Sequence, residues 1–254
     1  MCRITDLDAK NLERLSGKRT MFLSSLFGII MALAAMAGSE PAGHVREPFQ
    51  EWSMERAVRM LNNSPWARQE TFTRVISGVG SGISGEKEIY NTYYIRFLSA
   101  RPIREAFARI QQIHHGYDDM PIEKRTRFDK AQLPILEMNT ADWIVLSVSF
   151  RSNDPNEESN LRRFFQSETV KTLKTKAYLS TPECSQVQLL AYFPPREESV
   201  GAKFVFPREV YGIPVVTKDC GSITLELLDL PGRNGDLRAI FAIEPMIIDG
   251  ELII

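Results

Sequence analysis

The densest run of side chains able to do chemistry is His114-His115-Gly116-Tyr117-Asp118-Asp119. Two imidazoles beside two carboxylates could hold a metal ion or exchange protons, because histidine titrates near neutral pH and a carboxylate can orient its ring. Helix geometry weighs against the metal. Consecutive helical residues point about 100° apart, so His114 and His115 cannot both face one small ion without an irregular turn. The remaining histidine, His44, lies far back in the chain. There is no His-Glu-x-x-His, no Cys-x-x-Cys and no Cys/His zinc spacing. The simpler expectation places the imidazoles at a helix C-terminus, where they interact well with its dipole. The alternative is a hydrolase that uses His114 or His115 with Asp118 or Asp119. The sequence by itself assigns no catalytic residue, no metal ligand and no cofactor.

Other chemistry-bearing stretches have plainer explanations. Gly78, Gly80, Gly82 and Gly85 suggest a phosphate loop, but a phosphate cradle needs a helix start or a Gly-Lys-Ser/Thr directly afterwards. Here Glu86-Lys87-Glu88-Ile89-Tyr90 follows, two acids and then a strand pattern, so the glycines predict a hairpin tip. Ser81 lacks the strand–turn–helix frame of a nucleophilic serine. Tyr93, Tyr94, Arg96, Arg101 and Arg104 interleave aromatic and guanidinium groups, which suits a polyanion or carbohydrate surface. A strand with one core face and one exposed basic face explains the same pattern. Glu157-Glu158 and Glu197-Glu198 read as solvated faces.

Location is more legible than activity. Lys18 and Arg19 precede an apolar run from Phe22 to Ala37, which ends in Ala35-Met36-Ala37 before Gly38. A basic start, an apolar stretch and a small-x-small site predict a secretory signal peptide cut between Ala37 and Gly38. The apolar run is at or below the ~17–25 residues of a bilayer-spanning helix, so an uncleaved anchor is the second expectation. Membrane contact is expected only through this segment, and the product is expected to be secreted or periplasmic, with a cell-envelope component among the outcomes. Cys2 leaves with the segment. Cys184 and Cys220 remain, and either one disulfide or two free buried thiols fits them. With 31 Lys and Arg against 32 Asp and Glu, the net charge of -1 gives no pull toward nucleic acid. The charged fraction of 25% and hydrophobic fraction of 43% exclude a wholly disordered or multi-span membrane chain.

The elements that must position these residues predict an α+β fold. Residues 1–37 form the signal and 38–50 a flexible leader. Residues 51–175 form an α+β region and 176–254 an antiparallel β region, which can equally be one continuous domain with 51–175. Ser53 can cap a helix carrying Met54, Ala57, Val58 and Leu61, flanked by Trp52 and Trp66. Glu70 to Ser77 and Glu88 to Leu98 read as a hairpin. Arg101-Pro102 opens a helix with an apolar stripe of Ile103, Ala106, Phe107, Ile110 and Ile113, ended by Gly116. Met120 to Gln132 is a short solvated helix. Asp142 to Phe150 alternates as a half-buried strand, with Ser147 and Ser149 on its outer face. Asp154-Pro155-Asn156-Glu157 starts a helix, with Glu157 closing a capping box. Strands follow at Val187–Phe193, Lys203–Phe206, Ile223–Leu228 and Leu237–Ile243. Asn234-Gly235 and Asp249-Gly250 mark hairpin turns, so this half is an antiparallel sheet or small sandwich.

Five segments occur in an order that resembles a group of uncharacterised bacterial proteins. They are Glu51-Trp52-Ser53, Asn63-Ser64-Pro65-Trp66-Ala67, Ser99-Ala100-Arg101-Pro102-Ile103-Arg104-Glu105-Ala106, Phe204-Val205-Phe206-Pro207-Arg208 and Asp249-Gly250-Glu251-Leu252. That group begins with signal peptides, so the resemblance implies export. It implies no activity, cofactor or residue role. Together these observations lead to the expectation of an exported, non-catalytic binding or structural protein.

Overall fold

A computed structural model describes residues 47–77, 86–196, 201–231 and 236–254. The signal and most of the leader, the glycine-rich hairpin tip, Glu197-Glu198 and Asn234-Gly235 lie outside the described residues. The end of the leader is anchored. Phe49 packs against the core, Glu47 pairs with Arg56, and the Trp52 indole donates to Glu47 O at 3.2 Å.

The first helix, α1 (Met54–Asn62), begins where Ser53 accepts a hydrogen bond from Arg56 N. Both flanking indoles are buried, and Trp66 donates to Ile253 O, which binds the helix exit to the residue that follows the last strand. The hairpin forms as expected from β1 (Ala67–Ser77) and β2 (Glu86–Phe97). Then come α2 (Arg101–His114), a 3-10 turn over Tyr117–Asp119 and α3 (Ile122–Leu136), none of whose residues is buried. The central strand β3 (Trp143–Ser152) leads into α4 (Pro155–Ser167) and the single turn α5 (Val170–Leu173). Asp154 caps α4 by accepting from Asn156 N and Glu157 N. Glu157 does not close the expected box, because its carboxylate pairs with Arg74 of β1 at 2.5 Å. Glu158 is likewise engaged, pairing with Arg151 and accepting from Ser152 N, so this acid pair is not a solvated face.

The second half contributes β4 (Ala177–Ser180), β5 (Val187–Gln188), β6 (Ala191–Phe193), β7 (Ala202–Pro207) and the ribbon β8 (Glu209–Val210) with β9 (Ile213–Pro214). It ends with β10 (Ser222–Leu227), β11 (Leu237–Ala242) and the ribbon β12 (Ile247–Ile248) with β13 (Glu251–Leu252). Asp249 and Gly250 both have positive φ, as the tight turn between the last two strands requires. Every pairing is antiparallel, in a five-stranded sheet ordered β1-β2-β3-β7-β6 and a four-stranded one ordered β11-β10-β4-β5. The protein is α+β, with a strand-rich second half.

Two expectations are corrected. The run Val187–Phe193 is not one strand, because β5 joins the four-stranded sheet and β6 the five-stranded one. The chain crosses between sheets at Leu189-Leu190, where Leu189 is buried and Leu190 N bonds Val205 O. This is how stacked sheets make a corner. Strands from both sides of residue 175 therefore share one sheet and one core. The second correction concerns β3, which is buried on both faces rather than one. On one face Phe150 stacks on Phe165 of α4 at 5.3 Å, and in the neighbouring strand Phe97 of β2 lies edge-on to Phe241 of the other sheet at 4.8 Å. Ser147 and Ser149 alternate with these residues and are buried too, and Ser149 accepts from Arg96, which also bonds Leu61 and Asn62 of α1.

Candidate functional site

The His/Asp cluster sits where α2 gives way to the 3-10 turn. His115 is the C-cap of α2, and both its N–H and its ring Nδ1 reach the Gln111 carbonyl, at 3.1 and 2.8 Å. A ring nitrogen facing a carbonyl must donate, which sets the tautomer. Gly116 follows with φ +65°, the left-handed step that reverses the chain. The two imidazoles lie 5.4 Å apart, tilted by 42°, and the His115 ring also contacts Phe128 of α3 at 5.5 Å. His114, His115, Asp118 and Asp119 are all exposed.

Asp118 is committed elsewhere. Arg109 donates from Nη1 to Oδ1 and from Nη2 to Oδ2, each at 3.0 Å, a bidentate fork. The same guanidinium donates from Nε to Trp52 O at 2.8 Å. Arg125 grips the backbone of the turn at Asp118 O and at Met120 O, and Tyr117 donates to Asp129 at 2.8 Å. The Arg109 hydrogen bonds, aided by the Arg109 and Arg125 charges, hold the Asp118 carboxyl below the usual range. A general acid needs the opposite shift. The structure thus places the four sequence-predicted residues close in the chain but not in one constellation. The carboxylate faces an arginine, and His115 caps its own helix. Among the described residues no group of three or more His, Cys, Asp or Glu could hold a metal ion.

Among the described residues Cys220 is a buried and Cys184 a half-buried free thiol. Cys220 Sγ donates to Glu183 Oε2 at 2.8 Å and accepts from Thr217 N at 3.3 Å. That thiol hydrogen bond draws the Glu183 carboxyl below its ordinary value. Cys184 N bonds the Thr181 hydroxyl at 3.0 Å.

The aromatic and arginine interleave of β2 and α2 is corrected more sharply. Tyr93, Tyr94, Arg96 and Arg104 are all buried, so there is no exposed basic face. Only Arg101 is largely exposed, paired with Glu105. Arg104 donates to the carbonyls of Leu98 and Ser99, tying the start of α2 to the end of β2. Burial pulls both Arg104 and Arg96 down to about 10. Arg96 donates to Leu61 O at 2.6 Å, Ser149 Oγ at 2.9 Å and Asn62 Oδ1 at 2.9 Å, and lies over the rings of Tyr94 and Phe107.

Sequence reading missed what stands beside Arg96. The ladder pairs Arg96 of β2 with Ser147 of β3, and Ser147 with Lys203 of β7. Directly opposed residues share a face with Cβ atoms about 5 Å apart. Arg96, Ser147 and Lys203 therefore form one row across three strands. Lys203 appears in the sequence only as a strand residue, and no spacing rule links it to Arg96.

No protein-family model, curated protein or solved structure matches this chain. Among the described residues no helix is long and apolar enough to cross a membrane.

Proposed function

We propose that this is an exported protein of the bacterial cell envelope or exterior that acts by binding or structural association rather than by catalysis. The observation that carries the non-catalytic half is the Asp118 fork. Asp118, one of the two carboxylates beside the imidazoles in the sequence, has both oxygens on Arg109 and a lowered pKa. The export half is supported by the basic and apolar leader ending at Ala35-Met36-Ala37, and by the resemblance to signal-bearing bacterial proteins.

The test is fractionation of native cells followed by intact-mass measurement. The expected product lies outside the cytosol and begins near Gly38. Its mass corresponds to reduced Cys184 and Cys220, two hydrogen atoms heavier than a bridged chain. A full-length chain confined to the cytosol overturns export, and a full-length chain in the membrane fraction favours an uncleaved anchor.

A further inference from the structure

We propose that β1 is a self-association edge: two copies of this chain pair their β1 strands antiparallel about a two-fold axis at Phe72, joining the two five-stranded sheets into one. This gives the association half of the function proposed above its partner, a second copy of the chain, and does not depend on export.

A sheet edge offers backbone N–H and C=O groups to another strand, and folds blunt it by shortness, charge or cover. Among the described residues the other sheet edges are blunted. β5 and β6 have two and three residues, and at β11 the Arg68 Nε donates to Ile240 O at 3.1 Å with its guanidinium over the Phe241 ring. β1 has 11 residues, and its cover lies at the start, where Ala67 N bonds Ser64 O at 3.1 Å. The ladder fixes which of its groups face outward. Phe97 N donates to Trp66 O, so the alternate residues Arg68, Glu70, Phe72, Arg74 and Ile76 bond β2. The backbone groups of Gln69, Thr71, Thr73 and Val75 therefore point away from the sheet, and all four residues are exposed. Val75 and Ile76, 52% and 41% exposed, make this stretch apolar as well as open.

A second β1 is the occupant that the side chains select. Outward groups pair with outward groups, so the axis must pass through a residue rather than between two. With the axis at Phe72, Gln69 lies opposite Val75 and Thr71 opposite Thr73, and each such pair exchanges two hydrogen bonds. Phe72 meets its own copy, and Glu70 meets Arg74 at both ends. These are the closely spaced pairs, where side chains touch and opposite charges attract. Moving the axis by one residue destroys the match. At Thr71 it sets Arg68 against Arg74, and at Thr73 it sets Glu70 against Ile76. The Arg74 guanidinium is within reach: its side chain is 41% exposed, and the bond from Nη2 to Glu157 uses one donor of a five-donor fork. Phe72 is held edge-on to Tyr93 at 6.0 Å, so its ring is already ordered. Because each copy spends its one open edge on the other, the assembly closes at two.

The test is sedimentation velocity of the processed protein across a wide concentration range. The expected result is a reversible monomer–dimer equilibrium. Glu70→Arg sets an arginine against Arg74 at both ends and should weaken dimerisation roughly tenfold or more. Arg74→Glu should weaken it likewise, and a mixture of the two variants should recover a heterodimer, because each new charge then meets its opposite. Thr73→Pro removes an outward N–H without touching a bond to β2, and should also shift the equilibrium to monomer. Thermal melts confirm that each variant folds, and if Arg74→Glu does not fold beside Glu157, the other two variants carry the comparison. A wild type that is monomeric at every concentration overturns the interface and leaves the edge to a different chain. So does a dimer unchanged by folded Glu70→Arg and Thr73→Pro, which would be held together elsewhere. Folded single variants that stay monomeric when mixed overturn the axis at Phe72. An exported monomer loses this interface and keeps export. A cytosolic chain that dimerises through β1 loses export and keeps the interface.

Discussion

Replacing Arg109 by methionine should cost much more stability than replacing Asp118 by asparagine, although the two share an ion pair. The pair itself is weak in effect, because the Asp118 side chain is 60% exposed and water screens it. Such pairs contribute about 0.5–1 kcal/mol. Arg109 has a second task, since its Nε bonds the carbonyl of Trp52, a residue with no exposed surface. Methionine fills the space of the arginine stem but leaves that carbonyl unpaired, at about 1–3 kcal/mol. The two contributions sum to about 1.5–4 kcal/mol for Arg109→Met. Asp118→Asn keeps the Trp52 bond and should cost about 1 kcal/mol or less. Urea unfolding followed by tryptophan fluorescence separates the two, with midpoints that shift while the denaturant slope stays constant. The Asp118→Asn loss should also shrink in 1 M salt, whereas the carbonyl part of the Arg109→Met loss should not. If Asp118→Asn costs as much as Arg109→Met, the carboxylate has a role beyond the exposed pair and its structural assignment fails.

Gly201→Ala should be among the most damaging single substitutions. At φ +101° an added Cβ would lie 2.3 Å from Val148 O and 2.8 Å from Ser149 N, so the backbone of β3 itself would have to move. A loss above about 4 kcal/mol, or failure to fold, is expected. Gly250→Ala also sits at positive φ but meets nothing within 4 Å, so it should cost about 1–2 kcal/mol; equal melting temperatures for the two variants would refute the clash. Asp154 makes a pH prediction. The Lys87 ammonium first, and the backbone N–H groups of Glu157 and Asn156 after it, lower its carboxyl pKa in the folded state. Its stabilising contribution is therefore complete above the ordinary aspartate pKa and is lost as pH falls from there through the lowered folded value. Asp154→Asn should lack that acid-side loss, so its stability curve should be flatter below about pH 4 than the wild type's, and parallel curves would refute the assignment.

Local pattern carried the local elements. The Asp154 cap, the α2 stripe and the Asp249-Gly250 turn depend on residues a few positions apart, so their chemistry is written in adjacent letters. Polarity in the sequence misled where it depended on what lay overhead. Ser147 and Ser149 alternate with apolar residues as an exposed face does, yet both are buried, and Arg96 reads as surface until Leu61 and Asn62 are seen to accept its hydrogen bonds. The Val187–Phe193 run has a uniform strand composition, and only the stacking of two sheets decides that it must break at Leu189-Leu190.

From sequence alone came the α+β class, the hairpins, the helix that ends at the histidine pair, and the expectation of export. Tertiary structure alone decided that Asp118 belongs to Arg109 rather than to an imidazole, and that Arg96, Ser147 and Lys203 stand side by side. The reason is that periodicity reports which way a side chain faces along its own strand. Which side chains lie across from it, and whether water reaches them, depends on segments the fold brings alongside, nine positions away for Arg109 and Asp118 but 51 for Arg96 and Ser147.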